Sequence, residues 1–149
     1  MEIGKEINSQ KFENNLQKSV VNLIYTYGWI TNLLGQKLNK YDITLQQYNV
    51  MRILRGQHPK PATINLIKVR MLDKMSDASR IVDRLVQKEL VDRSINTNDR
   101  RAVDIIITKK GLDILLKLDA ELLFDDILGK DFNNTDAGIL SDLLDKMRE

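Results

Sequence analysis

The chain has 149 residues and no cysteine. That excludes disulfides, a thiolate nucleophile, Cys-ligated zinc or iron–sulfur, and thiol redox sensing. Its single histidine, His58, stands between Gln57 and Pro59 with no second His and no carboxylate cluster beside it. It reads as a solvated loop residue, not as a ligand or general base. The two prolines, Pro59 and Pro61, fall together in Gly56-Gln57-His58-Pro59-Lys60-Pro61, the clearest loop of the sequence. No apolar run comes near the ~18 residues of a membrane span. The opening Met1-Glu2-Ile3-Gly4-Lys5-Glu6 has no apolar core of a signal peptide. The expectation is a cytoplasmic chain with no membrane contact.

Catalytic motifs are equally scarce. There is no P-loop, no dinucleotide fingerprint, no His-Glu-x-x-His and no EF-hand loop, so no cofactor or metal is expected. Asp125-Asp126 is the obvious carboxylate pair, but adjacent helix residues do not face each other. It reads as a solvated surface. Asn133-Asn134-Thr135 matches a glycosylation sequon and is better explained as a helix cap. An enzyme would have only carboxylates, lysines and hydroxyls to work with, and no enzymatic activity is expected.

What is present is one domain's worth of ordinary globular chain, 42% hydrophobic and 30% charged. The net charge of +2 is unevenly spread. Residues 1–59 carry seven basic and four acidic side chains, residues 60–110 twelve and seven, and residues 111–149 four and ten. A basic middle beside an acidic tail steers an anion to one surface.

Apolar periodicity then places the elements. Leu16, Val20, Leu23, Tyr27, Ile30, Leu34, Leu38 and Tyr41 form a near-heptad stripe on a helix over residues 10–40. At about 45 Å, that helix outruns a single small core and is expected to pack against a second chain. Thr44-x-x-Gln47 is a capping box for a second helix that Gly56 stops. A third helix is expected from about Pro61 to Leu72, then a turn at Asp73-Lys74-Met75. Ser76 is expected to cap a fourth helix running to about Lys88, with Ala78, Ile81, Val82 and Leu85 inward. Leu90 to Ile95 and Val103 to Ile107 read as a hairpin with a polar tip. Thr108 caps a helix to about Leu128, ended by Gly129, and a last helix starts near Thr135.

Helix, short turn, helix and a hairpin with a basic tip is the winged helix-turn-helix plan. Its second helix enters the DNA major groove. Arg80 and Arg84, four apart on the outer arc, can donate bidentately to guanine. Ser76 and Ser79 at the N-terminal end, with Lys74 and Lys88 flanking, can hold phosphate. Asp77 and Asp83 oppose this charge, and can orient the arginines or accept from cytosine. At the hairpin tip Arg100 or Arg101 can enter a narrow minor groove, with Asp99 holding one of them. Neighbouring strand residues point to opposite faces, so one of the two arginines inserts. A competing reading makes Arg80 and Arg84 plain surface ion-pair partners of Asp77 and Asp83. A rival function from another class is a winged-helix protein-interaction module without sequence-specific DNA binding.

Three stretches carry a family resemblance. Leu45 to Leu54 resembles the helix before the helix-turn-helix of the MarR family of bacterial transcriptional regulators. Ser76 to Leu85 resembles its recognition helix. Asn98-Asp99-Arg100-Arg101, the strand through Ile107 and Thr108-Lys109-Lys110-Gly111 match its wing signature. The resemblance covers about residues 12–147. It implies one domain over 1–149: a mainly α winged helix at about 44–110 with dimerisation helices at about 10–40 and 109–147. It implies a homodimer on a pseudo-palindromic operator in double-stranded DNA, usually as a repressor, with Asp99, Arg100 and Arg101 as the minor-groove wing. Glu89 stands where the family often has glycine, which predicts either a left-handed residue or a different helix end. The cysteine of peroxide-sensing members and the ligands of zinc-sensing members are missing; if the protein senses anything, the resemblance implies a small organic molecule. Tyr25, Tyr27 and Trp29 line either a pocket for it or the helix interface.

Overall fold

The computed structural model describes residues 2–8, 11–97, 102–122 and 127–149. In chain order the elements are α1 (Ile3–Glu6), α2 (Asn15–Leu38) with a 3-10 turn (Asn39–Tyr41), α3 (Leu45–Gln57), α4 (Ile64–Arg70), α5 (Ala78–Gln87), β1 (Val91–Ile95), β2 (Val103–Ile107), α6 (Lys109–Glu121) and α7 (Asn134–Met147). The mainly helical winged architecture is as expected, and the short α1 is an addition. Among the described residues no helix is long and apolar enough to cross a membrane.

The core forms around α3. Its Val50, Met51 and Leu54 are buried, and it packs against α2, α4, α5, α6 and β2. The expected capping box opens it. Thr44 Oγ1 accepts from Gln47 N–H at 3.2 Å and Gln47 Oε1 accepts from Thr44 N–H at 3.1 Å. Gly56 does not stop this helix, which runs through it to Gln57. Pro59 sets the end, because the residue before a proline is pushed out of helical geometry. His58 is accordingly extended and exposed, at φ −53° and ψ 136°.

Other boundaries also move. α2 starts at Asn15, where the Asn14 side chain accepts from Gln17 N–H. α4 starts at Ile64 and not at Pro61. Thr63 Oγ1 caps it by accepting from Leu66 N–H at 3.2 Å, which a proline ring cannot do. Ala62 pairs with Ile105 instead, with N–H···O distances of 2.8 and 2.9 Å, and adds a single rung to the hairpin. α5 is capped by Asp77, not Ser76, as its carboxylate accepts from Arg80 N–H at 3.1 Å. The Ser76 hydroxyl is engaged by Asp73 Oδ2 at 2.6 Å, which removes it from cap duty. α6 ends at Glu121, short of Leu128. Leu122 leaves helical geometry at ψ 54°, and both Leu122 and Ile127 stay in the core. The caps at Thr108 and Asn133 are as expected. Asp125 and Asp126 lie outside the described residues.

The hairpin pairs Val91 with Ile107, Arg93 with Ile105 and Ile95 with Val103. What joins it to α5 is a left-handed residue at Glu89, φ 60°. Glu89 N–H bonds Val86 O at 2.9 Å and Leu90 N–H bonds Leu85 O at 3.0 Å. This is the Schellman arrangement, with Leu85 and Leu90 both buried as its apolar pair. The α2 end repeats it. Asp42 is left-handed at φ 54°, and Ile43 N–H reaches Leu38 O at 3.3 Å. The two turns touch, because Lys88 Nζ bonds both the Asp42 carbonyl and its carboxylate, the latter at 2.9 Å.

α2 changes character along its length. Leu38 is buried in the core, Ile30 and Leu34 are half-buried, and Leu16, Val20, Leu23 and Tyr27 are exposed. On α7, Ile139, Leu140, Leu143 and Met147 are exposed too.

Two substitutions probe these turns by urea denaturation. Glu89→Gly relieves the left-handed cost of a side chain, about 1 kcal/mol, against a small loss from its exposed Lys110 pair at 3.0 Å. The midpoint is expected to rise, and a fall would contradict the strain. Gly111→Ala should destabilise by about 1–3 kcal/mol, because its Cβ would lie 2.4 Å from the Leu90 carbonyl oxygen and 2.8 Å from Ile107 Cγ1.

Candidate nucleic-acid interface

α5 presents two faces. Ala78, Val82 and Leu85 are buried against the core, and Ile81 is half-buried. Ser79, Arg80, Asp83 and Arg84 face solvent. The acids on this helix are all occupied elsewhere. Asp77 caps its own helix. Asp83 accepts from Arg93 of β1 at 2.6 Å. Among the described residues no hydrogen bond or ion pair engages the side chains of Ser79, Arg80 or Arg84. The ion-pair reading of the two arginines therefore fails on geometry: the carboxylates nearest in sequence have other partners.

Arg80 and Arg84 border an open depression of about 320 Å³. Thr44, Gln46 and Gln47 from the start of α3 also line it, with Ser76, Asp77 and Ile81. Sequence reading assigned Thr44 and Gln47 to capping alone. Nothing in the sequence signals that the N-terminus of α3 lies beside that of α5.

The remaining expected contacts are placed differently. Lys88 is half-buried and held by Asp42, so its ammonium is directed to the α2 end. Lys74 folds back to the Val69 carbonyl. Ser76 donates to Asp73. That hydrogen bond, followed by the Met75 N–H and the Gln46 side chain, holds the Asp73 carboxyl below its ordinary range. The turn before α5 is thus a bonded unit. Asp99, Arg100 and Arg101 lie outside the described residues.

Contacts between α6 and the rest secure the back of this surface. Arg55 of α3 pairs with Asp119. Tyr41 donates its hydroxyl to Glu121, which lowers that carboxyl and raises the phenol. Lys37 reaches the Glu121 carbonyl at 2.6 Å. Among the described residues no group of three His, Cys, Asp or Glu side chains is placed to hold a metal ion.

Comparison with known proteins agrees with this geometry. The profile of the MarR family matches residues 43–103. The HTH-type transcriptional regulator MhqR of Bacillus subtilis is 27% identical over 103 residues, 69% of this chain and 69% of its own. The structure of wild-type MarR from E. coli in its apo form is 30% identical, covers 85% of this chain and 94% of its own, and superimposes with a TM-score of 0.64. A mutant of MarR from E. coli complexed with operator DNA is 28% identical, with coverage of 92% and 99% and a TM-score of 0.73. With its DNA-binding winged helix, the chain belongs to the MarR family of transcriptional regulators.

Proposed function

We propose that the protein acts as a homodimeric repressor on a pseudo-palindromic operator. The observation that carries this reading is the bare arginine face of α5: Arg80 and Arg84 are exposed and unpaired while Asp77 and Asp83 are engaged elsewhere. Two guanidinium groups one helical turn apart fit base edges in one major groove. Ser79 on the same arc would hold phosphate, and Ser76 at the helix threshold would first have to release the Asp73 carboxylate. Lys74 and Lys88 would first have to leave the Val69 and Asp42 oxygens, so they contribute less to the interface. At the tip, Arg100 or Arg101 would enter the flanking minor groove, with Asp99 holding one of them in position.

The dimer reading is supported by the exposed apolar stripe of α2 and by the matching face of α7. Fully burying one such side chain is worth about 1.5–3 kcal/mol, so eight of them exposed on two helices favour a partner helix pair. A second copy would set two α5 helices about 34 Å apart, one turn of DNA. A small organic effector would release the operator by favouring a dimer with another spacing. Tyr25, Tyr27 and Trp29, exposed on α2, would line the interface or hold such a ligand.

Two measurements test this. Selection from random duplexes should yield an inverted repeat, on which Arg80→Ala or Arg84→Ala lowers affinity about 5- to 150-fold, in line with about 1–3 kcal/mol per bidentate contact. Arg100→Ala and Arg101→Ala should weaken binding without unfolding the chain. Wild-type affinity in all four variants would sink the assignment. In sedimentation the wild type should run as a dimer, and Leu23→Glu should shift it to monomer and abolish operator binding together.

A further inference from the structure

Val69, Leu72 and Met75 are 74%, 85% and 94% exposed. They follow at three-residue intervals from the end of α4, through the turn, to the threshold of α5. The backbone beneath them is fixed. Leu72 N–H donates to Asn49 Oδ1 of α3 at 3.0 Å. Met75 N–H donates to Asp73 Oδ1 at 3.0 Å, and Ser76 holds the second carboxylate oxygen. A turn bonded in this way cannot tuck its apolar side chains inward without breaking those bonds. The strip therefore stands in solvent until something covers it.

Its position says what that is. Met75 precedes the Asp77 cap by two residues, which puts the strip at the N-terminal end of α5. The N-terminal end of such a helix is the part that meets base edges. In the major groove the apolar group offered by a base is the thymine C5-methyl. Methionine is unbranched and polarizable and adapts to a small apolar target. Lys74, the one charged side chain between Leu72 and Met75 besides Asp73, is turned back toward α4 and leaves the strip uncovered.

We propose that Met75, with Leu72 beside it, reads thymine methyl groups of the operator, next to the bases met by Arg80 and Arg84. This contact rests on the operator reading above and adds a specificity element to it. It makes thymine, and not merely an A·T pair of either orientation, the preferred base at the edge of each half-site.

The test replaces every thymine of the selected operator by uracil, which keeps pairing and removes only the methyl. The wild-type protein is expected to bind the uracil operator about fourfold more weakly per half-site, the affinity ratio for one buried methyl-sized group. Met75→Ala should bind the thymine operator more weakly and lose most of the thymine–uracil difference. Leu72→Ala should lose part of it. Both positions are exposed, so circular dichroism should report an unchanged fold. Equal wild-type affinity for the two operators overturns the proposal and leaves the strip to a protein partner. A difference that survives intact in the Met75→Ala, Leu72→Ala double variant overturns it as well. Failure to select any operator would instead overturn the regulator reading from which it starts.

Discussion

The left-handed backbone of Glu89 decides how α5 meets the hairpin, and most of the interface depends on it. A right-handed residue there would prolong α5 and carry β1 away from the core. The reversal is held from several directions. The Thr108 hydroxyl donates to the Glu89 carbonyl at 2.9 Å, and Lys110 bonds the Lys88 carbonyl and the Glu89 carboxylate. Leu85 and Leu90 close the apolar side of the turn. Gly111 lets the first turn of α6 approach the Leu90 carbonyl closely enough to complete the clamp. The strain of one non-glycine residue is thus offset by contacts from both the preceding helix and the following one.

The same economy governs charge. Asp73, Asp77 and Asp83 all lie within or next to the segment proposed to face DNA, and a net count of charge would predict mutual cancellation. Each carboxylate is instead bonded locally. Asp73 ties the turn, Asp77 caps α5, and Asp83 anchors Arg93 of the wing. Acids engaged in local bonds stop competing for the neighbouring arginines. Orientation, more than composition, gives this face its positive character, and a salt-dependent phosphate attraction can coexist with base selectivity.

Most elements are legible in the sequence because their signals are local. The Thr44, Thr108 and Asn133 caps and the α2 stripe depend on residues three or four apart. The differences have equally definite origins. Ser76 and Asp77 are both competent caps, and the choice between them turns on Asp73 capturing the Ser76 hydroxyl. Gly56 is tolerated within a helix, so Pro59 three residues on becomes the real terminator. Lys88 and Asp42 are 46 positions apart, and no periodicity connects them. Leu72 ends the expected third helix and Met75 sits in its turn, and nothing in their local spacing says whether either is covered.

α2 is rooted in the core at Leu38 and bare at Leu16, yet it is one continuous helix of 24 residues. At 1.5 Å per residue it is a rod of about 36 Å. In the proposed dimer such a rod would act as a lever with its fulcrum at the outer end. A tilt of about ten degrees there displaces the rooted end by roughly 6 Å, about half the width of a major groove. Small repacking far from the reading head would thereby be geared up into a loss of register with the double helix.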